Sequence, residues 1–187
     1  MHLYTLLPYL LFFLLLLFYE GSSTRNLPVH DSISIYQMGG NLEISHGEPS
    51  IHFSKSYGIT TFSFISNNKL FLSCLGSCST SIKIPSDTKL EIIGSGSYVM
   101  IRDIKHIKID MNLVDIEIQD PRYLKLRIGK GSLYLDSTHT KLVDAIIGNG
   151  HIFSSFTGEY HNIKNLRTLD GDNHVNLFFD EGFSSAK

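Results

Sequence analysis

From Leu27-Pro28 onward the chain alternates apolar and polar residues in short runs: Ile33-Ser34-Ile35, Leu42-Glu43-Ile44, Ile51-His52-Phe53, Phe62-Ser63-Phe64, Ile82-Lys83-Ile84 and Leu90-Glu91-Ile92. The same period of two continues through Ile107-Lys108-Ile109, Ile116-Glu117-Ile118, Leu124-Lys125-Leu126-Arg127-Ile128, Leu133-Tyr134-Leu135 and Val175-Asn176-Leu177. Alternation places the aliphatic members on one face and the polar members on the other, so each run predicts a strand buried on one side only. No stretch beyond residue 30 carries a helical period. Residues 24–187 therefore read as one all-β domain.

The runs are separated by small and polar residues, and several separators share a form: Gly94-Ser95-Gly96, Gly129-Lys130-Gly131, Gly148-Asn149-Gly150 and Gly171-Asp172-Asn173. The longest interval between them, from Gly94 to Gly129, divides in two at Met111-Asn112. A unit of roughly 17 to 23 residues follows, built as strand, small-residue turn, strand, polar turn. The segments from Leu90, Leu124 and Asp144 overlay with their G-x-G elements in register. A unit this short cannot close a core alone and must stack on its neighbours, which predicts a short-repeat β-solenoid. The alternative is a β-sandwich or jelly roll in which each G-x-G is a hairpin turn. Residues 30–80 are less regular than the rest.

The first residues differ in kind. From Leu3 to Tyr19 no side chain is charged, and the run rich in Leu and Phe ends at Glu20 and the small, polar Gly21-Ser22-Ser23-Thr24. Its length lies between a signal-peptide apolar region, about 7 to 15 residues, and a spanning helix of about 20. Residues 1–23 thus read as an apolar helix serving as a signal peptide or membrane anchor, with Gly21 and Ser23 as small residues for a cleavage site. A basic start is missing, so orientation is weakly specified. An exported protein admits a disulfide, and Cys74-Leu75-Gly76-Ser77-Cys78 forms a small loop that one bridge would close. The alternative is a pair of reduced thiols.

The aliphatic strand, G-x-G and second strand, repeated behind an export segment, resemble the bacterial adhesin-head-like domains built of short β-solenoid coils. The resemblance covers about residues 90–179 and is one of pattern, with no catalytic motif to transfer. It implies a right-handed β-helical, non-enzymatic protein of the cell envelope. The cysteine pair and the irregular first third depart from it.

Charge and motifs narrow the chemistry. Lys and Arg number 16 against 18 Asp and Glu, a net charge of −2 that offers no general attraction to nucleic acid. None of the G-x-G elements completes a G-x-G-x-x-G that opens a helix, so no nucleotide cofactor is implied, nor any other. Asp170 and Asp172, with Glu181 further on, partly mimic a calcium loop but lack its central glycine, Val175 standing there; a polar turn is the simpler reading. His52, His106, His151, His161 and His174 lie in or beside strands without metal-ligand spacing. Asp115 and Glu117, two apart on one strand, are the candidates for a carbohydrate-cleaving pair of the kind β-helical enzymes assemble. Ordinary solvated strand faces carry such residues as well, and Lys108, Lys125 and Arg127 are expected as their ion-pair partners.

The leading expectation is a non-enzymatic binding or structural module outside the cytoplasmic membrane, secreted or membrane-anchored, at the periplasm or cell surface. Its partner would be an envelope protein, a glycan or another surface ligand. A carbohydrate-active β-helix enzyme and a lipid-carrying envelope protein with an apolar groove are the alternatives.

Overall fold

The structure is a computed structural model that describes residues 23–28, 31–54, 58–65, 68–138, 140–157, 163–170 and 176–180. The apolar segment read above as a signal peptide or anchor lies, but for Ser23, outside these residues. Among the described residues the chain is all β, without a helix, and its fifteen strands join one curled mixed sheet.

Alternation accounts for the strands. On β10 (His106–Leu113) Ile107, Ile109 and Met111 are buried while Lys108 and Asp110 are exposed, and β11 (Asp115–Gln119) buries Ile116 and Ile118. These side chains join rows from the neighbouring strands in one continuous aliphatic core.

The strands fall into two wings. In the first, β8 (Lys89–Ser95), β10, the opening half of β12 (Tyr123–Ser137), the opening half of β13 (Leu142–Thr157) and β14 (Ile163–Asp170) pair in parallel. In the second, β9 (Tyr98–Arg102), β11, the closing halves of β12 and β13, and β15 (Asn176–Asp180) do the same. Lys89 faces His106, His106 faces Tyr123 and Tyr123 faces Leu142, so the chain returns to the same place in the cross-section at a nearly constant step. That step falls within the spacing expected from the glycines.

The G-x-G elements are not hairpins. Gly129 and Gly131 lie within β12, Gly148 and Gly150 within β13, and both strands run through the bend from one wing into the other while remaining paired with each other. Gly131 and Gly150 adopt φ of 147° and 151°. A Cβ at Gly131 would lie 1.8 Å from the Val114 carbonyl oxygen, and one at Gly150 1.7 Å from that of Gly131. Only glycine satisfies the conformation and the close approach together. The overlay of all three G-x-G elements fails by one position at Gly94, which faces Met111, which in turn faces Ile128 rather than Gly129. The aliphatic row Leu90, Ile107, Leu124 sets this register, because a slip of one would turn every core side chain outward.

The first third is wired differently. β2 (Ser32–Met38) and β3 (Asn41–His46) lie beside β8 and β9, and β6 (Lys69–Gly76) and β7 (Ser79–Ile84) stack parallel on their far side. Spatial order thus runs 69–84, 32–46, 89–102. Beyond this, β4 (Ser50–Ser54) pairs antiparallel with β7, β1 (Ser23–Asn26) antiparallel with β4, and β5 (Gly58–Ile65) antiparallel with β6. The Cys74–Cys78 disulfide closes the corner between β6 and β7. It packs beside Gly39 and Gly40, while buried Gln37 donates from Nε2 to both of their carbonyls at 3.2 and 3.0 Å.

Candidate functional site

Asp115 and Glu117 share the outer face of β11, as alternation requires, but both are occupied. The Asp115 carboxylate accepts the backbone N–H of Ser132 on the next rung at 2.9 Å. Glu117 accepts the Tyr98 hydroxyl at 2.6 Å and Gln119 Nε2 at 3.1 Å. Burial and the bond to Glu117 push the Tyr98 hydroxyl up to about 12, so it donates at all physiological pH. Two carboxylates of one strand separated by two positions sit about 7 Å apart and point the same way. Glycosidic cleavage uses two acids that flank the scissile bond, and inverting pairs have separations of this order. Tyr134 and Phe153 stack beside them with ring centroids 5.0 Å apart, and Tyr134 is exposed.

The expected lysine and arginine partners are elsewhere. Lys108 bonds Glu91 at 2.6 Å and Arg127 bonds Asp144 at 3.2 Å, all on the first wing. The bend between the wings separates them from β11, and each cation takes a carboxylate on an adjacent strand of its own wing. Lys108 holds the Glu91 carboxyl below its ordinary range, against the opposing effect of burial. Arg127, with Asn165, does the same for nearly buried Asp144.

The first wing carries a feature not read from the sequence. An open groove of about 430 Å³ follows the beginnings of its strands, lined by Lys89, Glu91, His106, Lys108, Tyr123 and Lys125 and by aliphatic residues, among them Ile33, Leu90, Ile107 and Leu124. The polar turn leading into each strand adds another basic residue. Lys105 N–H donates to Ser86 O at 2.9 Å, Arg122 N–H to Lys105 O at 3.0 Å and Lys141 N–H to Arg122 O at 2.8 Å, so these three side chains succeed one another rung by rung. The signal was present in the chain, where Asp103-Ile104-Lys105 is answered one unit later by Asp120-Pro121-Arg122, with Ile104 and Pro121 buried.

The other candidates stay apart. Asp170 is exposed at the end of β14, whereas Asp172, Glu181, His161 and His174 lie outside the described residues. His52 pairs with Thr24 at 2.9 Å, His106 stacks on Tyr123 and His151 tilts against Phe153, each at a different place. Among the described residues no three His, Cys, Asp or Glu side chains come together to hold a metal. Exposed large hydrophobics are dispersed, at Met38, Leu113, Tyr123, Tyr134, Ile163 and Leu169. Of these, Tyr123 lines the groove of the first wing.

No family model and no curated protein matches the chain. Among solved structures it is similar to a candidate cell adhesion protein from Clostridium sporogenes, with a TM-score of 0.38 and 11% identity over 72% of each chain.

Proposed function

We propose that this protein is a non-enzymatic surface-binding module: an exported β-solenoid that presents two flat, hydrogen-bonded wings to a partner in the cell envelope or to a glycan. The observation that supports this reading is that both candidate acids are hydrogen-bonded within the sheet, Asp115 by a backbone amide and Glu117 by Tyr98 and Gln119. Parallel rungs recurring at a nearly constant step support the solenoid, and crossovers between parallel strands favour the right-handed path. The disulfide fits an oxidising compartment, and residues 1–23 supply the export signal or the anchor that would deliver the body there.

The test is made on the full chain expressed in cells. External protease should reach the body in intact cells, and thiol trapping should find Cys74 and Cys78 bridged. A panel of polysaccharides should release no reducing ends. A reduced, protease-protected protein would sink the location. Glycan cleavage by the wild type that disappears in Asp115→Asn/Glu117→Gln would replace the binding module with an enzyme.

A further inference from the structure

The basic groove of the first wing departs from its surroundings in a way the core does not require. Lys108 and Lys125 face each other directly across β10 and β12, and like charges in that position destabilise a sheet. Lys105, Arg122 and Lys141 repeat the arrangement on three successive rungs of the adjoining turns. Carboxylates that answer these charges lie at one end of the row: Asp87 bonds Lys105 at 2.8 Å and Glu91 bonds Lys108. Asp144 stands next to Lys125 in register, but its oxygens are taken by Arg127 and Asn165. Asp120, in the Arg122 turn, is taken by the backbone and hydroxyl of Thr138. Lys89, Lys125 and Lys141 are exposed and have no carboxylate partner among the described residues. Lys89 and Lys125 line the groove and Lys141 stands in the adjoining turn, so in a chain of net charge −2 unpaired positive charge gathers along this edge of the wing.

We propose that this groove binds an anionic polysaccharide, extended along the stack so that successive sugars meet successive rungs. The inference rests on the surface-module reading and names its site and ligand class. Rungs recur about every 4.8 Å, a spacing comparable to one sugar of an extended chain, so a polymer with one carboxylate per sugar meets a cation at each step. Phosphates along each strand of a duplex are more closely set, at about 3.4 Å along the axis. The stacked rings of His106 and Tyr123, 4.8 Å apart, add an apolar wall against which sugar C–H faces pack.

The test uses the detergent-solubilised full chain with polygalacturonate as probe, its fully methyl-esterified form as the uncharged counterpart, single-stranded DNA, and phosphatidylglycerol vesicles. Polygalacturonate should bind with an affinity that falls steeply as salt rises, and the ester should not bind. Lys89→Gln/Lys125→Gln/Lys141→Gln should weaken binding at least tenfold with an unchanged thermal melt, because these side chains are exposed. Glu43→Gln/Asp136→Asn on the second wing should leave binding as it was. Equal binding of the ester, or a triple variant that binds like the wild type, overturns the proposal. So does tighter binding of DNA or of vesicles, each of which names a different ligand. A wild-type chain that is exported and disulfide-bonded yet binds no probe refutes the anionic ligand while leaving the surface module intact.

Discussion

Residues 89–157 and residues 23–84 build the same two wings by different means. In the later region the chain climbs one rung per unit, each strand meeting the strands one unit before and after it, and glycine carries two successive bends between the wings. In the earlier region β2 and β3 occupy the middle of the stack, and β1 lies at its edge. Ser32 there faces Lys89, with all of β3 to β7 intervening in sequence, and the chain doubles back to lay β6 and β7 outside β2 and β3. Its outermost bend is held by a covalent bridge, and its outermost strands run antiparallel. A shared cross-section therefore does not require a shared local code. Glycines with positive φ serve corners in both regions, Gly39, Gly40 and Gly76 among them, and the earlier region adds a cross-link at one of these corners.

Three variants test that contrast. Gly131→Ala in the later region forces a Cβ against the Val114 carbonyl at a φ that side chains avoid, and should destabilise the chain by more than about 3 kcal/mol in chemical denaturation. A loss below about 1 kcal/mol would mean that the corner can relax and that glycine is not what shapes it. In the earlier region, Cys74→Ser/Cys78→Ser frees a short loop and should remove about 2 kcal/mol. Hydrogen exchange should then quicken around Gly39 and Gly40 and stay unchanged at Gly131; equal quickening at both would erase the distinction between the two regions. The smallest effect concerns the last rungs. Asp144→Asn should remove roughly 1.5 kcal/mol at neutral pH, since Asp144 is nearly buried against Arg127. Arg127 lowers the Asp144 carboxyl, so its contribution is present above the unfolded value of about 3.9 and is lost as pH falls through the lower folded value. The variant should lose less stability than the wild type on acidification below about pH 4.

The same contrast explains what could be read from the chain. Ile116-Glu117-Ile118 and its counterparts announce their buried and exposed faces because a strand's period is local, and the unit length is visible because the rungs repeat it. The one-position slip at Gly94 was hidden, since glycine spacing mimics a register that the aliphatic row Leu90, Ile107, Leu124 actually sets. The placement of β2 beside β8 has no local signature at all. On the surface, Asp115 and Glu117 were found as outward residues, but their partners were not. Tyr98 and Ser132 reach them from adjacent rungs, whereas Lys108 and Arg127, nearer in kind, belong to the other wing. The basic row escaped notice because overall charge conceals distribution; setting Lys105 over Arg122 at the unit length would have exposed it.

The regular step that carries His106 onto Tyr123 also makes the length of the molecule countable. Repeating the unit 106–122 once would add a full step of about 4.8 Å with every later pair preserved, whereas a single inserted residue would invert the faces downstream. Variation of length in this region would therefore come in whole steps.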